Sequence, residues 1–129
     1  MSAKGGSTAR GKIATMSSGE LAKAYEQAAE GYGQTIATDP DKANRFADVL
    51  ARIYSEMRRR GVQGQSALLT LLHDRRPHVR YWAAVHALAF APGLGEPVLV
   101  ELEKEGGLAG FNARYTLSEW RDGKLKLPE

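Results

Sequence analysis

The chain contains no cysteine, which removes disulfides, thiolate nucleophiles and any cysteine-ligated zinc or iron–sulfur centre, and suits a reducing compartment. It also lacks a long apolar run. The longest, Tyr81 to Ala91, spans 11 residues and carries His86 at its middle, too short and too polar to cross a bilayer. No segment alternates apolar and polar residues as a half-buried strand does. Neither a Gly-x-Ser-x-Gly nucleophile turn nor a His-Glu-x-x-His zinc motif occurs. What is present has the balance of a folded domain: 129 residues, 43% hydrophobic and 26% charged, which sets aside wholly disordered and collagen-like readings. A chain of this length fits one domain and buries about two thirds of its unfolded surface without a metal or a crosslink.

The 18 basic and 15 acidic side chains leave a net charge of +3. That excess belongs to residues 1–12, where Lys4, Arg10 and Lys12 meet no acid, so the remainder is neutral. Within it, residues 13–44 hold two bases and five acids, residues 45–80 eight bases and three acids, and residues 81–129 five bases and seven acids. A positive middle between acidic ends steers an acidic partner, although fields of this size also occur on proteins with no such role.

Residues 1–18 are rich in Gly, Ser, Thr and Lys without apolar periodicity, and read as a flexible basic leader; Met16 is an alternative start, with the leader native or added. Residues 19–127 read as a single helical domain. Leu21, Tyr25, Ala28, Tyr32 and Ile36 form the stripe of a first helix. Asp39-Pro40-Asp41 opens a second, which Arg58-Arg59-Arg60 and Gly61 close. A short third helix is expected over Ser66 to Leu72, a fourth from Pro77 through Phe90 with a break at Ala91-Pro92-Gly93, a fifth over Pro97 to Glu105, and a sixth over Leu108 to Arg121. The fold class is therefore all-α, about six helices. A shift of 29 residues sets Val79 on Leu108, Trp82 on Phe111, Ala84 on Ala113, His86 on Tyr115 and Leu88 on Leu117, an imperfect internal repeat that favours three stacked antiparallel hairpins over a bundle. On that register Trp82, like Phe111, belongs to the core, and Trp120 caps the last layer.

The stretch Ala67 to Leu88, with Leu68-Leu69, Leu71-Leu72, Asp74, Pro77, Val79-Arg80 and Ala83-Ala84, resembles a HEAT repeat. That resemblance implies an α-solenoid in which Asp74 in the turn and Arg80 six residues on form a structural pair. The wider chain from Glu20 to Leu127 resembles a bacterial family named domain of unknown function twenty-nineteen, through Lys42-Ala43-Asn44-Arg45, Met57 to Gly61, Val79 to Ala84 and Leu117 to Gly123. The family implies a HEAT-like fold and supplies no catalytic residues.

Chemistry-bearing residues do not converge in the sequence. His73 and His78 straddle a turn and His86 shares an apolar stripe, so packing or capping is the expected role rather than metal ligation. Glu101, Glu103 and Glu105 point in divergent directions as successive odd positions of a helix. Gly106 to Gly110 precedes a helix with no strand before it, and reads as a helix stop with close packing at Gly110 rather than a phosphate cradle. No catalytic, cofactor or metal residue is assigned. The pointed feature is Arg45, Arg52 and Arg59, spaced by seven and so on one helical face. Asp48 and Glu56 are placed to pair with Arg52 and Arg59, which leaves the face either internally neutralised or available for docking. Arg75, Arg76 and Tyr81 complete the candidate partner-binding set. The expected function is a non-enzymatic, cytoplasmic binding module for a protein partner, with an immunity-type role occluding a toxin as one specialisation. The alternative is nucleic-acid binding through the arginine face.

Overall fold

Backbone chemistry at the ends of each segment sets the helix boundaries. The structure is a computed structural model that describes residues 12–127. Ser17 accepts from the Glu20 N–H at 3.0 Å while the Glu20 carboxylate accepts from the Ser17 N–H at 2.8 Å, a capping box that starts α1, Ser18–Thr35. Asp39 accepts from the Lys42 N–H ahead of Pro40 and starts α2, Pro40–Arg59. Gly61, at a φ of 68°, reverses the chain at once, so α3 runs over Val62–Thr70, beginning earlier than the expected Ser66, and passes into a 3-10 turn at Leu71–His73. Pro77 opens α4, Pro77–Ala87.

α4 ends at Ala87, before the expected Phe90, with residues 88–90 in turns, and Pro92, expected to lie in the break, is the first residue of α5, Pro92–Glu105. Pro97, expected to open that helix, lies inside it, where its missing N–H forgoes one helical bond while Leu99 and Leu102 on the same helix remain buried. Gly106, at a φ of 80°, ends α5 and begins α6, Gly107–Arg121. The described residues are helical, with a further helical turn at residues 12–15 and no strand among them.

The expected leader divides. Residues 1–11 lie outside the described residues, whereas Ile13 and Met16 pack against the core and Arg60 donates to the Ile13 and Ala14 carbonyls, both at 3.3 Å. Residues 12–17 are thus held, contrary to a flexible segment reaching Ser18, because two apolar side chains find the exposed end of the core.

Helices adjacent in sequence pack on one another, α1 on α2, α4 on α5 and α5 on α6, and α4 also touches α1, α3 and α6. This position requires an element that is apolar all round. The sequence of α4 provides it: Val79, Tyr81, Ala83, Ala84, Val85, His86 and Ala87 are all buried. His86, 2% exposed, shares a 2.6 Å hydrogen bond with the Tyr25 hydroxyl through Nδ1 and stacks on Tyr54 at a centroid distance of 4.3 Å. Burial pushes its pKa down to about 3 and, with Tyr54 second, pushes the Tyr25 hydroxyl up, so both groups stay neutral at pH 7. Arg58 donates to the Tyr54 hydroxyl at 2.6 Å, joining this layer to the surface.

Two packing predictions follow from this geometry. A Cβ on Gly64 would lie 1.9 Å from the Met57 carbonyl oxygen, so Gly64→Ala is expected to lower stability by about 2–3 kcal/mol in urea unfolding, whereas Gly93→Ala, which meets nothing within 4 Å, holds or raises it. His86 has a depressed folded pKa, so the unfolded chain takes up a proton first as pH falls. Its contribution to stability is full above about pH 6.5 and lost from there down towards about pH 3, with a slope of up to about 1.4 kcal/mol per pH unit. His78, also lowered by burial, adds to the same slope, while the lowered carboxyls of Glu56 and Asp74 act only from their ordinary carboxylate range downward, below about pH 5. Urea midpoints measured between about pH 7 and 5 should fall for the wild type and flatten in His86→Phe.

Candidate functional site

α2 presents its apolar side to α1 through Ala43, Leu50, Ile53, Tyr54 and Met57, so the residues opposite face solvent. Arg45, Arg52 and Arg59 are all exposed there, as their spacing requires. Their pairing differs. Arg59 holds Glu56 bidentately at 3.0 and 2.6 Å, and Arg60 takes the same carboxylate at 2.7 Å. The hydrogen bond from Arg59, aided by that from Arg60 and opposed by partial burial, pulls the Glu56 carboxyl down to about 2. Arg45 and Arg52 make no ion pair among the described residues, and the expected Asp48–Arg52 pair is not formed. Beside them an open groove of about 420 Å³ is lined by Ile13, Ala14, Arg52, Ser55, Glu56 and Arg59. The docked turn at residues 12–15 forms its other wall, which the sequence did not disclose because the contact depends on Arg60 reaching two backbone carbonyls 46 and 47 residues earlier.

The second cluster of candidates is arranged differently from expectation. Asp74 does not hydrogen-bond Arg80. It receives the Arg76 backbone N–H at 2.8 Å and the Arg76 guanidinium at 2.9 Å on each oxygen, and Arg76 also reaches Glu26 on α1 at 2.6 Å. Only Arg75 separates Asp74 from Arg76, so the turn folds the guanidinium back on the carboxylate before α4 begins. Arg80 lies a turn further on and instead makes a bidentate pair with Glu105 at 2.9 and 3.0 Å, neutralising an acid at the unfavourable C-terminal end of α5. Hydrogen bonding to Arg76 holds the Asp74 carboxyl below the usual range. Arg76 is therefore an internal strut rather than a free docking residue, while Arg75 is exposed.

Tyr81 also moves off the candidate surface. It is 8% exposed, and its hydroxyl hydrogen-bonds Thr116 at 2.8 Å across the α4–α6 contact, because α4 is covered on the side that faces α6. Burial pushes its pKa up to about 12. Trp82 is half-buried, edge-on to Tyr32 at 5.0 Å, with its indole N–H unpaired. His73 is exposed and His78 packs near Tyr32 on α1. Among the described residues no group of three or more His, Asp or Glu side chains is placed to hold a metal ion. Gly110 packs closely, since a Cβ there would stand 2.6 Å from the Leu102 carbonyl oxygen.

The internal repeat fails as a guide to burial at α6. Ala113 and Leu117 are buried like Ala84 and Leu88, but Leu108, Phe111 and Tyr115 are 40%, 63% and 65% exposed where Val79 and His86 are buried and Trp82 is half-buried. The helical face repeats; the helix that covers it in the case of α4, namely α1, has no counterpart over α6 among the described residues.

No family model and no curated protein matches the chain. Among solved structures, the crystal structure of the protein RPA1889 from Rhodopseudomonas palustris CGA009 is similar, with a TM-score of 0.79, 23% identical residues, and coverage of 88% of this chain and 96% of that one. At that identity the likeness speaks for the all-helical fold alone.

The strut at the start of α4 has a measurable consequence. Arg76→Ala releases both Asp74 and Glu26 and is expected to cost about 1 kcal/mol in urea unfolding, while Arg75→Ala stays within about 0.5 kcal/mol of the wild type. Equal effects of the two substitutions would show that Arg76 braces the fold no more than Arg75 does.

Proposed function

We propose that the chain is a non-enzymatic binding module: a HEAT-like α-solenoid of three stacked antiparallel hairpins, of the kind its resemblance to domain of unknown function twenty-nineteen implies, that docks a protein partner bearing an acidic surface. The observation that carries this reading is the state of the arginine face. Arg45 and Arg52 are exposed on α2 without an ion-pair partner among the described residues, beside a groove with an apolar wall at Ile13 and Ala14. An arginine that keeps its fork free brings directional donors to a carboxylate, and an adjacent apolar strip adds area that excludes water. Arg59, tied to Glu56, lines the groove with its orientation fixed. Occlusion of a toxin by an immunity-type protein, in the cytoplasm, is one specialisation of this reading. The nucleic-acid alternative asks for many free cations along one track, and the engagement of Arg59, Arg60, Arg76 and Arg80 with acids leaves fewer of them.

Isolation of the protein from its native host with whatever binds it supplies the partner for a quantitative test. The combined variant Arg45→Glu, Arg52→Glu and Arg59→Glu is expected to weaken that partner at least about tenfold and to abolish its salt dependence, while Lys23→Glu on the exposed side of α1 leaves affinity unchanged. Unchanged affinity in the triple variant contradicts the reading. Retention of duplex or single-stranded nucleic acid, with affinity falling steeply between low and physiological salt, favours the alternative instead.

A further inference from the structure

The exposed apolar residues of α6 are not scattered. Leu108, Phe111 and Tyr115 recur at spacings of three and four and so lie on one stripe, directly opposite the stripe of Ala109, Ala113, Thr116 and Leu117 that packs into the domain. The other large exposed apolar side chains, Val62 and Leu94, stand singly at the starts of α3 and α5. α6 is thus apolar on two sides, and only one of them is covered by this chain among the described residues.

We infer that this outer stripe is a self-association surface, on which α6 of a second copy packs antiparallel about a two-fold axis. Three observations select a second copy. The first is the chemistry of the α1–α2 hairpin: its exposed residues include Glu20, Lys23, Gln27 and Gln34 on α1 and Lys42 and Asp48 on α2, which are polar. Head-to-tail stacking would have to set Phe111 and Tyr115 against that polar side, whereas a two-fold arrangement sets the apolar stripe on itself. The second is the position of the aromatic ring. Phe111 lies near the middle of the stripe, so an antiparallel pairing brings the two Phe111 rings together at the axis and each Leu108 to the other copy's Tyr115. The third is charge. Residues 101–107 carry three acids and one base, and residues 121–127 carry three bases and one acid. Glu105, Glu101 and Arg121 are taken by Arg80, Lys104 and Glu96, so antiparallel pairing lays Glu103, at the end of α5 beside the start of each α6, against Lys124 and Lys126 beyond the end of the other, and parallel pairing would oppose like charges.

The area sets the strength. Two aromatic rings about two-thirds exposed and one half-covered leucine offer on the order of 300 Å² of apolar surface per chain. A stable standard interface buries about 800 Å² per partner, so the stripe forms its centre and the charged ends its rim, and the dimer is expected to dissociate in the micromolar range. The segment ahead of the described residues is a poor competitor for this face, since residues 1–11 contain only Met1, Ala3 and Ala9 as apolar side chains.

Sedimentation of the full chain is the direct test. At about 100 µM the wild type should sediment as a dimer, and Phe111→Glu with Tyr115→Glu, which sets four carboxylates in the contact, should shift it to a monomer, an association weaker by about a thousandfold, with an unchanged circular dichroism spectrum. Because the chain has no natural cysteine, a single Phe111→Cys variant should crosslink to a disulfide-bonded dimer under mild oxidation, while Gln34→Cys on the polar side of α1 should not. A monomeric wild type at that concentration, a double variant that stays dimeric, or crosslinking of Gln34→Cys in preference to Phe111→Cys overturns the inference. These readouts need no partner protein, so they stand or fall independently of the proposed role of the α2 arginine face.

Discussion

The rest of the molecule depends on α4 being covered on every side. Beyond Trp82 its short sequence is buried on every side and has no charged group to leave in water, so α1, α3, α5 and α6 must all find it, and the contacts between these helices follow from that demand. The most polar group it buries, the His86 imidazole, is tolerated because Tyr25 supplies a hydrogen bond and Tyr54 a stacked ring, one from α1 and one from α2. That layer joins three helices at one point, and a buried polar pair admits fewer arrangements than an all-aliphatic layer does.

Burial at the centre throws variation outward. The charged residues that remain are sorted into two kinds: struts that brace the start of α4, such as Arg76 with Asp74 and Glu26 and Arg80 with Glu105, and groups left in solvent, such as Arg45 and Arg52. Struts consume charge without offering it to a partner. The proposed binding role therefore rests on a smaller set of arginines than the sequence contains, and the proposed self-association rests on an end of the molecule where the same packing logic runs out of helices.

Much of the fold could be read from local chemistry. Asp39-Pro40 and the arginine run before Gly61 mark helix ends whatever surrounds them, and the stripe from Leu21 to Tyr25 and Ala28 names a buried face correctly. What could not be read was which neighbour covers a face. Tyr81 looks like a contact residue until α6 is laid over it, and Phe111 and Tyr115 look like core residues because they repeat Trp82 and His86, although only the latter have α1 beside them. Hydrogen-bond partners were equally hidden: Asp74 has three arginines within six residues, Arg75, Arg76 and Arg80, and the choice of Arg76 over Arg80 is made by the fold-back of a turn rather than by spacing. The arginine face was legible as a face, since seven-residue spacing is geometry, but not as a groove, since its second wall comes from Ile13 and Ala14.

Native-state hydrogen exchange resolved by residue tests the central role of α4 most directly. The amides of residues 83–88 should exchange only through global unfolding, with the highest protection in the chain, while those of α6 and the turn at residues 12–15 open at lower free energy. Exchange of the α4 amides through a local opening, ahead of those in α1 and α2, would contradict the account.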